Sequence, residues 1–253
     1  MSGRRSLMAW IGLAALGLLV AAPPAPAADL KLGATFSLTG GTDDYGKGAL
    51  NGFNLAVEEY NAKGGYKGKK VETVVYDDET KPAKGVENVT RMITRDKVFA
   101  IVGPVNSGVA LAIIDIAQKM EMPLMDTIAT AEPIIERYAK APKSYIFRVS
   151  LNDGIQTSFM IDHIQKKKYQ RVGLMHDSTG WGQSGRDTAL RLLKEAKIPV
   201  AAGPEVFDQN DTDMTPQLTK MKPRPYAPDN HEALGRESGF LAIWKNGKLV
   251  RAE

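Results

Sequence analysis

Residues 41–48 read GTDDYGKG, so Gly41, Gly46 and Lys47 fall on the spacing G-x-x-x-x-G-K by which a phosphate loop wraps a nucleotide. The flanks fit as well, with strand-like KLGATFSLTG before and helix-like ALNGFNLAVEEYNAK after. The chemistry does not. Magnesium needs a hydroxyl after the lysine, and Gly48 stands there. Asp43 and Asp44 add two negative charges, each repelling a phosphate charge by about 1–4 kcal/mol near ~4 Å. A nucleotide is excluded. A second loop, GPVNSG at 103–108, keeps the glycine spacing but lacks the lysine. It joins the apolar strand pattern VFAIVGP to the helix pattern SGVALAIIDIAQKM. The free N–H groups of a helix start attract one anion by about 0.3–1 kcal/mol, up to ~2 when partly buried. Ser107 adds a hydroxyl there, which suits a small carboxylate; a plain helix cap with a tight glycine turn fits the same residues.

Other chemistry finds little support. Cysteine is absent, which removes disulfides, thiolate catalysis and zinc–thiolate sites. The three histidines, His163, His176 and His231, are scattered, and HEALG at 231–235 fails the H-E-x-x-H zinc pattern at Gly235. GQSG lacks the spacing of a nucleophile elbow. His176, Asp177 and Ser184 are neighbours in sequence only, and a triad is a matter of geometry. No catalytic residue, metal site or cofactor is assigned, and the chain is not expected to be an enzyme.

Strand and helix patterns alternate along the chain, predicting an α/β fold with mainly parallel sheet. LKLGATF, KKVETVVYDDE, VFAIVGP and MPLMD read as strands with helices between them, bringing the chain to SYIFRVS at 144–150. A second series follows: helix NDGIQTSFMIDHIQKKK, strand QRVGLMHD, helix GWGQSGRDTALRLLKEA, strand IPVAAGPEVF and helix DMTPQLTKMK. After Lys222 the periodicity breaks into proline-rich PRPYAPDNHEALGRES, and GFLAIWKNGKLVRA reads as a hairpin turning at Asn246 and Gly247. At the other end, Arg4 and Arg5 precede an uncharged, mostly apolar run from Leu7 to Ala22, followed by two prolines and APA. That is the order of a secretory signal peptide cut near Ala27; the run is short of the ~18 residues a membrane span needs. The paired arginines hint at twin-arginine export. The full chain carries 33 basic and 29 acidic residues; residues 1–27 hold two of the bases and no acid, leaving 31 against 29, or +2. With no basic stripe interleaved with aromatics, nucleic acid is not a partner. An exported, periplasmic protein without a lipid-anchor cysteine is expected.

The stretch from Phe36 to Ile93 resembles the first lobe of the branched-chain amino acid binding proteins, the type I periplasmic solute receptors of ABC importers. VGPVNSGVALAI, MPLMDTIATAEPI, YIFRVSLND and HDSTGWGQSG continue the resemblance in the same order. It implies two α/β lobes of parallel sheet flanked by helices, closing on a small ligand, and an inner-membrane ABC permease as partner. It implies a carboxylate-bearing ligand, a branched-chain or other amino acid, with an amide or an aromatic acid and a sensory module without transport as alternatives. Residue by residue, Tyr45 matches an aromatic cover, and Ser107 matches a hydroxyl that binds the ligand carboxylate with neighbouring backbone N–H; Asn106, counted with the site, and Gly108 flank it where the family often has further hydroxyls. Ala129 and Thr130 match the rest of that grip, and Trp181 an aromatic wall of the second lobe. The implied organisation is a signal peptide over 1–27, a ligand-binding lobe over 28–148, a partial second lobe over 149–222 and a C-terminal segment over 223–253. The family continues after the equivalent of Lys222 with further strand–helix units and an acid facing the ligand ammonium, so the chain reads as a member with an internal deletion and an incomplete second lobe.

Overall fold

The computed structural model describes residues 30–169, 171–221, 231–234, 241–245 and 248–251. The leader, residues 222–230 and the turn at 246–247 lie outside the described residues. Strands and helices alternate as the sequence pattern predicts. Strands β1 (Leu30–Phe36), β2 (Val71–Asp77), β3 (Ala100–Val102), β4 (Leu124–Asp126) and β5 (Ile146–Arg148) form one sheet in the order β2-β1-β3-β4-β5, parallel throughout. Helices α1 (Asp43–Ala62), α2 (Pro82–Arg91, continued by a π-helical turn over Met92–Asp96) and α3 (Ser107–Lys119) make the crossovers. A short helix, α4 (Pro133–Glu136), which the sequence pattern does not announce, precedes β5.

The second series gives α5 (Asp153–Lys167), β6 (Val172–Asp177), α6 (Gly180–Glu195), β7 (Val200–Phe207) and α7 (Thr215–Met221). Its sheet is mixed rather than parallel. The proline-rich region read as aperiodic contains a strand, β8 (His231–Leu234), which pairs in parallel with β6. β9 (Leu241–Lys245) and β10 (Lys248–Arg251) then pair antiparallel, giving the order β10-β9-β8-β6-β7. Among the described residues no helix is long and apolar enough to cross a membrane.

The two faces of the first sheet differ. In a parallel ladder, partners across strands point to the same side. Ile101, Leu124 and Ile146 share one side and pack under α2 and α3 against Val89, Met92, Val109, Ile113 and Ile114, all buried. On the other side Ala34, Phe36 and Val102 meet α1 through Phe53, Leu50 and Val57. α1 covers only that end. Met125 and Phe147, next on the same side, are 37% and 48% exposed. Between α1 and the sheet runs an apolar groove of about 840 Å³ that includes Leu32, Phe53, Tyr60, Phe99 and Ile128. A parallel sheet is normally covered on both faces; among the described residues, that side of the first sheet is covered by α1 alone.

This asymmetry predicts unequal costs for two truncations on the same sheet. Ile113→Ala should lower stability by about 2–5 kcal/mol. Phe147→Ser should lower it by about 1 kcal/mol or less. Urea denaturation of the two variants beside wild type measures both.

Candidate functional site

The carboxyl ends of the strands of both sheets converge on one cleft of about 370 Å³. Open α/β sheets bind ligands at that end of their strands. The turn after β1 contributes Gly41 to Tyr45, the loop after β3 contributes Val105 and Asn106, and the loop after β4 contributes Ile128 and Thr130. From the second series come Gln156, Asp177, Trp181, Phe207 and Gln209.

The first wall is set by a close approach. α1 begins at Asp43, so Gly46 and Lys47 are already helical and form no phosphate cradle. Gly46 lies against β1; a Cβ there would stand 1.8 Å from the Ser37 carbonyl oxygen. Lys47 donates to Asp43 at 2.6 Å along the helix surface, which holds the Asp43 carboxyl below its usual range. Tyr45, 52% exposed, stands at the mouth of the cleft.

The second wall is the segment 127–131, in which the backbone groups of Ala129, Thr130 and Ala131 are all paired. Ser107 Oγ, fully buried at the start of α3, accepts from Thr130 N (3.1 Å) and Ala131 N (3.2 Å). Asp126 Oδ1 accepts from Ala129 N at 3.0 Å. Ser150 Oγ donates to the Ala129 carbonyl and Arg148 Nη1 to the Ala131 carbonyl, both at 2.8 Å. Asp153 N donates to the Thr130 carbonyl at 2.8 Å. The Thr130 hydroxyl is left over: it is buried without a hydrogen bond, near the Asp153 carboxyl, which burial raises above its usual range against the pull of Ser184 and Thr130. A buried hydroxyl without a partner costs about 1–3 kcal/mol, so an incoming acceptor gains there.

Besides the bond from Asp153 to Thr130, further contacts hold the two series together. Asn106 caps α3 by accepting from Gly108 N at 2.8 Å and donates to Thr179 Oγ1 at 3.2 Å. Beside it the backbones of Gly108 and Gly180 touch, and a Cβ on Gly180 would stand 2.5 Å from Gly108 Cα. Further along, Glu132 receives Arg191 Nη2 on both oxygens (3.1 and 2.9 Å) and Thr188 Oγ1 at 3.2 Å.

Of the residues singled out in the sequence, Tyr45, Asn106, Thr130 and Trp181 line one cleft. Ser107 and Ala129 stand behind it, nearly or fully buried, shaping the loop that carries Thr130. No triad forms: Ser184 donates to Asp153 at 2.6 Å, and His176 Nδ1 faces its neighbour's backbone carbonyl at 2.7 Å. Gln156, Asp177, Phe207 and Gln209 were not foreseen, since an isolated acid or amide at a strand end gives no sequence signal. Among the described residues no cluster of His, Asp or Glu is arranged to hold a metal.

Residues 29–224 match the model of the periplasmic binding protein family. The chain belongs to this family. The Leu/Ile/Val-binding protein BraC3 of Rhizobium johnstonii is 28% identical over 200 residues, 79% of this chain and 53% of that protein. A type 1 periplasmic binding protein from Bordetella pertussis superposes with a TM-score of 0.69 at 33% identity, over 77% of this chain and 53% of that one. The branched-chain amino acid substrate-binding protein LivJ of Streptococcus pneumoniae, solved with isoleucine, superposes with a TM-score of 0.66 at 31% identity, over 77% and 54%. The fold is that of the type I periplasmic binding proteins, and the chain spans about half the length of the relatives it matches.

The glycine contact between the lobes carries a prediction. Gly180→Ala places a methyl against backbone that cannot yield, wedging the cleft open. Gly185→Ala meets nothing within 4 Å. Small-angle scattering should report a larger radius of gyration for the first variant and no change for the second.

Proposed function

We propose that this periplasmic binding protein captures a small carboxylate-bearing metabolite, a branched-chain or other amino acid, in the cleft and delivers it to an inner-membrane ABC permease. The observation that carries the reading is the Thr130 hydroxyl, buried beside the cleft without a hydrogen bond, between residues whose backbone groups are paired. A carboxylate accepts from such a donor, and a hydrogen bond to a charged group contributes about 1.5–3 kcal/mol. The cleft volume lies within the range of small-molecule sites. Tyr45 and Trp181 supply apolar surface, and Asp177 is the acid of the second lobe available to an ammonium group. The relatives named for leucine, isoleucine and valine support an amino acid over other carboxylates. Ser107 then acts at one remove, by holding Thr130 in place.

Export through residues 1–27 and release near Ala27 put the chain in the periplasm, where closure of the lobes is the signal a permease reads. Binding without turnover is the whole of its chemistry. A micromolar receptor has about −8 kcal/mol of binding free energy, and one making half the contacts keeps about −4, which is millimolar. The test therefore uses NMR titration at millimolar concentration with leucine, isoleucine, valine, aromatic acids and the matching amides. An acid should shift resonances of the cleft residues where its amide does not, and Thr130→Val should weaken that acid about tenfold or more. Equal binding of acid and amide, or shifts confined to other surfaces, would overturn the reading.

A further inference from the structure

One buried acid has no part in the function proposed above. Asp126 ends β4, is fully buried, and is bonded to the backbone of Ala129, directly before Thr130, which lines the cleft. Its Oδ1 accepts from Ala129 N, whereas Oδ2 is buried with no partner at all. A carboxylate desolvated on one oxygen is costly, and the proton that removes the cost belongs on that oxygen. The charged group facing it from the neighbouring strand is Arg148, its ladder partner, whose Nη1 is engaged by the Ala131 carbonyl. The β3 neighbours Ile101 and Val102 are apolar, and Ser107 of α3 is uncharged. Asp153 of α5 and Glu132, the other acids at this loop, make their own bonds to Ser184 and Arg191. Burial raises the Asp126 carboxyl to about 8 against the pull of Arg148 and the loop N–H groups.

We propose that Asp126 works as a proton-dependent positioning residue: its neutral form admits an anion to the corner of the cleft at Thr130, and its ionised form repels one. The inference rests on the carboxylate reading of the cleft for its second half only. In the first half, the unfolded chain ionises this acid near 3.8 and the folded chain near 8. Between those values the folded state holds the extra proton, so stability falls as pH rises through the window and levels off above it. In the second half, a charge one residue behind the anion weakens it by about tenfold at an effective dielectric near 20–40. By reciprocity, a bound carboxylate drives the Asp126 proton on more tightly.

D126N, which keeps an acceptor for Ala129 N and cannot ionise, separates the two halves. Without ligand, the melting temperature of wild type should fall relative to D126N between pH 5 and pH 8. Parallel curves, or carboxyl-carbon NMR showing no side-chain carboxyl that titrates near pH 8 and vanishes in D126N, would overturn the proposal. With isoleucine, wild-type affinity should fall about tenfold from pH 6.5 to pH 9, while D126N varies far less over the same range. A wild-type profile as flat as that of D126N overturns the coupling. Failure of isoleucine and every other acid to bind at any pH overturns the carboxylate reading and, with it, the coupling, leaving the ligand-free titration to be judged separately.

Discussion

Every feature of the cleft depends on one constraint: the backbone between β4 and α4 is buried, so its N–H and C=O groups must find partners within the protein. Five groups from separate elements meet that demand, from β4 (Asp126), α3 (Ser107), β5 (Arg148), the strand exit (Ser150) and the start of α5 (Asp153). The loop is thereby fixed in one shape, and the first sheet, its helix α3 and the second lobe are tied to it together. What is left unpaired, the Thr130 hydroxyl and one Asp126 oxygen, gains its meaning from that fixity. A mobile loop could turn such atoms to water; a pinned one cannot.

Close backbone contacts complete the geometry. Gly46 lets α1 start against β1, and the Gly108–Gly180 pair lets the two lobes meet at van der Waals distance beside the cleft. Asn106 closes the same corner from α3, capping its own helix and reaching the other lobe with one side chain. The cleft is thus walled by Tyr45, Asn106 and Thr130 from one lobe and by Gln156, Asp177, Trp181, Phe207 and Gln209 from the other.

The half-covered face of the first sheet follows from the same arithmetic of cover. One helix, α1, spans about two strands' width, and the sheet has five. The stretch matched here is about half of the relatives' length. In the second sheet, β8 joins β6 in parallel and carries the antiparallel pair β9 and β10, the segment read as a hairpin, on its far edge.

Hydrophobic periodicity by itself determined the order of elements from β1 to α7, because each must bury one face or one stripe whatever its neighbours are. It also disposed of the nucleotide loop, since the missing hydroxyl at Gly48 and the charges of Asp43 and Asp44 are local facts. It did not show β8, whose proline-rich surroundings hide a short strand, nor α4, a single turn without periodicity. The cleft was half legible: Tyr45, Asn106, Thr130 and Trp181 stand on glycine-marked loops at strand ends, where open sheets bind ligands. Only the tertiary structure separated Thr130, which faces the cleft, from Ser107, which serves it from behind. It alone brought Asp177, Phe207 and Gln209 across from the other lobe and left Asp126 desolvated. Burial and the partner on the far side of a cleft are properties of three-dimensional neighbours, and residues distant in the chain carry no mark of them.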